Sequence, residues 1–295
     1  MIRIELHVEL SYQVDNYGAD FVFNIHAAHT PSQIISAESL VLSQPIAAPV
    51  HTDPVTGNRY MRLHAMPGEL KLSYMATVDL HHHSADPTQL AEVPVRDLPP
   101  GVMGYIYPSR YCQSDRLVKL AINEFGQLWQ GHGRVQAIQD WVRRRVTFTS
   151  NTSNSNTSAV DTLIEQVGVC RDFAHLMIAL CRAVNLPARM VSGMDYGASP
   201  ALGPPDFHAY VEVYLSDGIA PGSGRWYIFD PSGTAVPMGF VRFGTGRDAA
   251  DIAFATIFGQ VCAAQPQITI QSVSDLQGQA VSPQHVSCAL STDGP

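Results

Sequence analysis

The chain has 295 residues, of which 45% are hydrophobic and 15% charged, and its formal net charge is −8. A chain of this length can bury two hydrophobic cores, so we expect two domains. The acidic balance, without a block of basic residues, argues against nucleic acid or an anionic membrane as the partner, and no apolar stretch is long enough to span a bilayer.

The start of the chain and the cysteines bear on the compartment. Residues 1–6 follow a strand pattern with an acid at position 5, which is not typical of a secretory signal. The five cysteines lack the regular spacing of a disulfide framework. We therefore expect a cytoplasmic protein with free thiols, whose oligomeric state the sequence does not indicate.

Residues 1–85 are predicted to form an all-β domain. The first strand alternates apolar and polar residues, with Ile2, Ile4 and Leu6 on one face. Further strands are predicted over residues 21–25, 39–42, 59–65 and 69–80. Short strands joined by turns rich in Gly, Pro and Asn are typical of a small β-sandwich. This domain carries no catalytic motif, so we expect it to support the second domain, line its cleft or recognise a partner.

The rest of the chain divides into a linker, a second domain and a tail. Prolines interrupt residues 86–108, which we interpret as a linker. Residues 109–273 are predicted to form the second domain, and residues 274–295 to form a polar tail that we expect to be loosely held. Within the second domain, helices are predicted over residues 117–128, 133–146 and 161–166, and strands over residues 189–194 and 267–273.

The most informative segment is residues 168–176, with the sequence Gly-Val-Cys-Arg-Asp-Phe-Ala-His-Leu. Apolar residues follow Cys170 at spacings of three and four, which predicts a helix that begins at the cysteine and ends before Pro187. A thiol on the first turn of a helix lies at the positive end of the helix dipole, which favours the nucleophilic thiolate. A cysteine on an apolar helix is more often a packing residue, so Cys170 alone leaves both interpretations open.

Two later segments supply possible partners for this cysteine. Residues 207–215 alternate as a strand with His208 on the polar face, and residues 225–229 form a strand that runs directly into Asp230. The turn between them is centred at residue 220, so an antiparallel hairpin would oppose residues whose numbers add to about 440, and His208 and Asp230 add to 438. We expect Asp230 to orient the His208 imidazole, which would act as the base.

These segments together resemble the transglutaminase-like superfamily of papain-fold cysteine enzymes. The resemblance is carried, in order, by residues 168–175, 186–193, 208–214 and 229–231, with further similarity at 108–116 and 246–251. It extends over nearly the whole chain apart from the tail, because the bacterial branch carries an amino-terminal β-domain. The implied nucleophile, base and orienting acid are Cys170, His208 and Asp230. The implied fold class is α+β, with an amino-terminal β-sandwich followed by a papain-like transglutaminase core in which a central helix packs on an antiparallel sheet.

The resemblance also implies a reaction, which is thiol-dependent acyl transfer on peptide or amide bonds through a thioester. Water would resolve the thioester in a cysteine protease or amidase, whereas an amine would resolve it in a γ-glutamyl cross-linking enzyme. Small bacterial members of the family favour hydrolysis. The third possibility is a non-catalytic peptide-binding module on the same fold. We expect a peptide or protein substrate, no cofactor and no metal.

Other polar and sulfur-containing residues receive structural interpretations. Consecutive histidines at 81–83 point to opposite faces of a strand, which does not indicate a metal site. Arg171 and Asp172 are expected to fix the helix start as a pair. We expect packing or buried structural roles for His175, Cys181 and Glu212. The loop over residues 195–206, with three prolines, lies beside the expected site and would affect the choice of substrate.

Overall fold

The computed structural model describes residues 1–197, 206–275 and 277–293. The first strands are β1 (Ile2–Val14), β2 (Ala19–Phe23), β3 (Gln33–Leu42), β4 (Val50–Thr52), β5 (Arg59–Ala65), β6 (Gly68–Leu80), β7 (His83–Ala85) and β8 (Ala91–Glu92). The middle of the chain forms α1 (Ser114–Phe125), α2 (His132–Arg145), β9 (Thr147–Phe148), α3 (Ala159–Glu165), β10 (Val167–Gly168), α4 (Cys170–Ala183), β11 (Ala188–Asp195), β12 (Phe207–Ser216), β13 (Arg225–Phe229) and β14 (Phe240–Gly246). The last elements are α5 (Ala249–Ile252), β15 (Ala255–Phe258), β16 (Val261–Ala263), β17 (Gln267–Val273) and β18 (Ala289–Ser291).

The amino-terminal domain is a sandwich of two antiparallel sheets. In one sheet β6 lies between β1 and β3, and β16 and β17 both pair with β1; the other sheet has the order β15-β2-β5-β4. The alternation predicted for β1 is present, since Ile2, Ile4 and Leu6 are at most 3% exposed. The apolar faces of the two sheets share one hydrophobic core. The predicted β-sandwich is therefore confirmed.

Segments that follow the second domain complete this sandwich. The sequence-based division assigned all residues up to 273 to the second domain, whereas β15 pairs with β2 and both β16 and β17 pair with β1. Alternation identified residues 267–273 as a strand, but it carries no information about the partner strand, because strand pairing joins residues far apart in sequence. Residues 255–273 thus belong with the first domain.

The second domain is built around α4, which packs on an antiparallel sheet with the order β13-β12-β11-β14. Apolar residues of α4 such as Phe173 and Leu176 are at most 1% exposed and share a core with Val211 and Val213 of β12. The predicted central helix is confirmed. No helix in the described part of the chain is long and apolar enough to cross a membrane.

The end of the described chain is held against the second domain rather than loosely attached. Strand β18 pairs with β7, and Leu290 packs with Tyr210 and Phe240 on the face of the sheet opposite α4. The expectation of a loose tail is wrong for residues 289–293, four of which are at most 6% exposed. The polar composition of the tail predicted a loosely held end. That prediction failed because the apolar residues on which this short segment packs are distant in sequence.

Beneath this segment lies a buried network of two arginines and two acids. Glu212 is fully buried, and its carboxylate accepts from Arg189 at 2.7 Å and contacts Arg242. Asp293 contacts the same two arginines from the other side. Two carboxylates therefore balance two guanidinium groups, as buried charges require. The expected structural role of Glu212 is confirmed.

We expect Asp293→Asn to lower the free energy of unfolding by about 1–3 kcal/mol, because it leaves two guanidinium groups facing one carboxylate. The Asp293 side chain is 26% exposed, so the loss is smaller than for a fully buried pair. Chemical unfolding followed by circular dichroism measures the effect. Glu165→Gln, which neutralises an exposed acid, is the control and should change stability by less than about 0.5 kcal/mol. Equal stability of the two variants would contradict a balancing role for Asp293.

The two domains meet where β12 and β14 begin. Gln33 is 1% exposed, and its side-chain amide donates to the carbonyls of Ala28 at 2.7 Å and Arg242 at 2.9 Å while accepting from the Arg242 amide at 2.8 Å. The sandwich core also continues into Val241 and Phe243 of β14. The sandwich therefore supports one end of the second sheet.

Candidate active site

Cys170 is the first residue of α4 and is half-buried. The amide of Val169, directly before it, donates to the Asp172 carboxylate at 2.9 Å, and Arg171 pairs with that carboxylate at 3.1 Å. The expectation that Arg171 and Asp172 fix the start of the helix is therefore confirmed. The Asp172 and Phe173 amides donate to the Val169 carbonyl at 2.8 and 3.2 Å, so the amides of Cys170 and Arg171 are the first-turn donors left beside the thiol, at the positive end of the helix dipole.

Gly168, the last residue of β10, lies directly against the first turn of α4. A Cβ atom at Gly168 would come within 2.7 Å of Asp172 Cβ, which is closer than two such atoms can approach. Any side chain at position 168 would therefore displace Asp172, the residue that caps the helix. Gly168, two residues before the cysteine, is therefore needed for the position of the thiol.

His208 is the second residue of β12 and lies opposite Gly193 of β11. The Cys170 Sγ atom is 3.9 Å from the carbonyl oxygen of Phe207, so the start of β12 runs past the start of α4. His208 is 8% exposed and interacts electrostatically with the Cys170 sulfur. The histidine and the cysteine are thus brought together from segments that are 37 residues apart at this contact.

Asp230 directly follows β13, and the hairpin has the predicted register, with Val211 paired to Phe229. The distance from His208 Nε2 to Asp230 Oδ1 is 3.6 Å, slightly longer than a hydrogen bond. Ser232 donates to Oδ1 from its hydroxyl at 2.6 Å and from its amide at 3.0 Å, and the Ala235 amide donates to Oδ2 at 3.1 Å. Three donors from its own loop therefore hold this carboxylate beside the imidazole.

The electrostatics of the site favour charged forms of both residues. Burial on its own would lower the pKa of His208, but the Cys170 sulfur and the Asp230 carboxylate raise that pKa well above 6.5. Burial would likewise raise the pKa of Asp230, but its interaction with His208 and the hydrogen bonds from Ser232 and Ala235 hold that pKa below 3.8. An imidazolium is therefore stabilised between a sulfur and a carboxylate.

A second buried acid lies behind His208, and sequence reasoning did not single it out. Asp195 is 3% exposed and accepts a hydrogen bond from the Tyr210 hydroxyl at 2.6 Å. The Tyr210 ring meets the His208 ring edge to face, with 4.6 Å between the ring centroids. The sequence signal for this acid lay in its partner Tyr210, which follows His208 by two residues and is therefore on the same strand face. Residues 198–205, most of the proline-containing loop that follows Asp195, lie outside the described residues.

The remaining residues singled out from the sequence have structural positions. His175 is fully buried, and its Nε2 accepts from the Ala249 amide at 3.2 Å, which confirms a hydrogen-bonded core residue. Cys181 is fully buried in the core around α4, as expected for packing. Within residues 1–197, 206–275 and 277–293, no group of three or more His, Cys, Asp or Glu side chains is placed to hold a metal ion.

Comparison with known proteins bears directly on this arrangement. Residues 126–231 match the family model of the transglutaminase-like superfamily, and residues 2–101 match that of the bacterial transglutaminase N-terminal domain. A solved structure from Cytophaga hutchinsonii, described as a "putative cysteine protease", is 39% identical, with a TM-score of 0.89 over 98% of this chain and 97% of its own. The chain belongs to the transglutaminase-like superfamily. The resemblance and the α+β fold class inferred from the sequence are confirmed.

Curated relatives of this transglutaminase-like protein come from mycobacteria. An uncharacterized protein of Mycobacterium leprae is 28% identical over 149 residues, which are 50% of this chain and 52% of the relative. An uncharacterized protein of Mycobacterium tuberculosis is 33% identical over 112 residues, which are 36% of this chain and 35% of the relative. The match thus spans about half, or less, of the length of these relatives.

Proposed function

We propose that this protein is a cysteine hydrolase of peptide or amide bonds, in which Cys170 is the nucleophile, His208 the base and Asp230 the residue that orients His208. One observation carries the proposal. The Cys170 thiol, the His208 imidazole and the Asp230 carboxylate come from three separate segments and lie close together at the start of α4. Membership of a superfamily of thiol-dependent enzymes supports it.

The geometry supports the following first half-reaction. His208 accepts the proton of the Cys170 thiol, and the sulfur attacks the substrate carbonyl to form a tetrahedral intermediate. First-turn amides of α4 stabilise the oxyanion. As the carbon–nitrogen bond breaks, protonated His208 transfers its proton to the departing amine, which leaves a thioester on Cys170.

Water completes the cycle in the second half-reaction. His208 removes a proton from water, the resulting hydroxide attacks the thioester carbonyl, and the Cys170 sulfur departs as the carboxylic acid is released. Asp230 faces the Nε2 atom of His208 at 3.6 Å, which leaves Nδ1 as the nitrogen for proton exchange with sulfur and water. Asp230 also stabilises the imidazolium that forms in both half-reactions.

Hydrolysis and cross-linking differ only in the second substrate, so a direct competition separates them. With a glutamine-containing peptide and a fluorescent primary amine, we expect peptide cleavage or ammonia release at a rate that does not depend on the amine, and no fluorescent adduct. Mass spectrometry of the peptide measures both outcomes. The Cys170→Ser protein serves as the control for contaminating activities. An amine adduct that forms faster than the hydrolysis product would replace hydrolysis by cross-linking.

A non-catalytic binding module is tested by the reactivity of the thiol itself. Iodoacetamide should label Cys170 in the folded protein at least about tenfold faster than in the unfolded chain at pH 7. The reason is that the thiolate is the reacting species, and only the folded protein places His208 where it can accept the thiol proton. Labelling no faster than in the unfolded chain, together with an absence of turnover, would favour the binding module.

We further propose that the protein acts on a peptide or protein substrate in the cytoplasm. All five cysteines are free, and a reducing compartment keeps them so. Expression of a tagged chain in its host followed by cell fractionation tests the location.

A further inference from the structure

We propose that Asp195 is a positioning residue of this site, which acts through Tyr210 on His208 and through a shared loop on Asp230. This inference rests on the proposed function of Cys170, His208 and Asp230. It adds a fourth polar side chain, from the end of β11, to the groups on which the reaction depends.

The first link joins Asp195 to the strand that carries His208. Tyr210 is fully buried, and its hydroxyl donates to Asp195 Oδ1 at 2.6 Å. A hydrogen bond from a buried hydroxyl to a carboxylate is short and strong, and breaking it leaves a buried polar group without a partner. The Tyr210 ring therefore has one stable position.

The second link joins the Tyr210 ring to the imidazole. The His208 and Tyr210 rings meet edge to face at 4.6 Å, and the Phe240 ring contacts Tyr210 at 4.4 Å with a similar geometry. A Cβ atom at Gly193 would overlap the Val241 carbonyl oxygen and lie 2.6 Å from a carbon of the Phe240 ring, so the backbone of β14 and this ring both require a glycine there. Packed rings of this kind have few alternative positions. A restrained Tyr210 ring thus forms a fixed surface for the His208 ring.

The third link passes through the loop that carries Asp230. The Val236 amide donates to Asp195 Oδ1 at 3.2 Å, and the Ala235 amide donates to Asp230 Oδ2 at 3.1 Å. The two carboxylates therefore bind consecutive amides of the same loop. A shift of Asp195 would move the backbone that holds Asp230 beside His208.

Asp195 also contributes charge. Burial, together with the charge of Asp230, raises the pKa of Asp195 to about 6 against the opposing effects of His208 and the Tyr210 hydrogen bond. The carboxyl group is thus neutral below about pH 6 and carries a negative charge above it. The titratable groups that face it are His208 and Tyr210 on β12 and Asp230 after β13, while β14 contributes the apolar Phe240. Ionised Asp195 favours the imidazolium form of His208.

Two conservative variants separate position from charge. Tyr210→Phe keeps the ring and removes the hydroxyl, whereas Asp195→Asn keeps an acceptor for Tyr210 and Val236 and removes the charge. The first readout is the rate of Cys170 alkylation by iodoacetamide across pH, followed by peptide mass spectrometry, which requires no knowledge of the substrate. The second is the titration of the His208 imidazole by NMR.

We expect Tyr210→Phe to reduce the alkylation rate of Cys170 at pH 7 by about threefold to tenfold, since a less restrained imidazole pairs less well with the sulfur. We expect Asp195→Asn to lower the pKa of His208 by about half a unit to one unit. The matched control is Tyr214→Phe, which removes a hydroxyl from the same strand face, where it donates to the Gly222 carbonyl at 3.1 Å and lies away from His208. This control should leave both readouts unchanged.

The outcomes distinguish this inference from the proposed function. If Cys170 of the unmodified protein reacts no faster than in the unfolded chain, the proposed function fails and this inference fails with it. Suppose instead that Cys170 is reactive in the unmodified protein. If Tyr210→Phe and Asp195→Asn then change neither the pH profile of Cys170 alkylation nor the pKa of His208, only the positioning role is overturned. A loss of melting temperature without a change in either profile would show that the Asp195–Tyr210 pair serves stability only.

Discussion

Cys170→Ser is expected to lower kcat/KM for amide hydrolysis by about 10⁴-fold or more, because a serine hydroxyl is much harder to deprotonate than a thiol and is a far weaker nucleophile in this site. The helix start and the backbone amides of positions 170 and 171 stay in place, so substrate binding should change little. A continuous assay with a fluorogenic peptide or amide substrate, combined with a binding measurement, separates the two effects.

Cys262→Ser is the matched control for this loss. Cys262 is an exposed thiol on β16, far along the chain from the start of α4, and its replacement should leave kcat/KM unchanged. Full activity in Cys170→Ser, or an equal loss in both variants, would refute the assignment of Cys170 as the nucleophile.

Asp230→Asn is expected to lower kcat by about 10²- to 10⁴-fold with a smaller change in KM. The amide keeps the shape of the carboxylate, but it presents no charge to the imidazolium, and its own NH₂ group can turn the imidazole to the wrong tautomer. Steady-state kinetics and the NMR titration of His208 measure the two consequences. The pKa of His208 should fall, because Asp230 is one of the groups that raise it against the effect of burial.

The control for Asp230 is Asp217→Asn in the loop between β12 and β13, where the carboxylate accepts from the Ile219 amide at 3.1 Å. An asparagine preserves that hydrogen bond, so activity should change by less than about twofold. An unchanged kcat in Asp230→Asn would remove Asp230 from the mechanism.

The same shifts in pKa predict how stability depends on pH. The pKa of His208 is raised above 6.5, so its interactions stabilise the fold fully below pH 6.5 and are lost as the pH rises through the folded-state value. The pKa of Asp230 is lowered below 3.8, so its contribution is present above pH 3.8 and is lost as the pH falls through the folded-state value. Both contributions to stability are therefore fully present between pH 3.8 and pH 6.5.

The buried arginine network and the positioning contacts lie on the same face of the second sheet. Tyr210, Glu212 and Tyr214 alternate along β12, and each of them forms a buried or partly buried polar contact. The polar face of this strand is therefore not a solvent face. It faces a second buried core, which β18 and Phe240 cover. Charged and hydrogen-bonding side chains in this core must therefore pair with other groups of the protein.

Much of the fold followed from local patterns. Period-two alternation identified β1 and β12, and spacings of three and four identified α4 and its start at Cys170, because these periods reflect the faces that strands and helices bury. The hairpin register followed from the centre of the connecting loop at residue 220, because opposed residues of an antiparallel hairpin lie equally far from that centre along the chain. The order of Cys170, His208 and Asp230 along the chain then indicated the family.

Long-range contacts required the tertiary structure. Residues 255–273 were recognised as partly β-structured, but their pairing with β1 and β2 depends on strands more than 200 residues away. The polar composition of residues 274–295 predicted a loose tail, whereas β18 is buried because Tyr210 and Phe240 provide an apolar surface for it. The hydrophobic pattern within a strand does not indicate which distant strand it pairs with.

The sequence by itself determined the chemical types of the candidate site, a thiol at a helix start with a histidine and an acid on paired strands. Only the tertiary structure decided how those groups are supported, through Ser232 and Ala235 for Asp230 and through Asp195 and Tyr210 for His208. The physical reason is that periodicity reports which face a residue takes, whereas a hydrogen bond between distant segments depends on how the faces of separate elements are brought together.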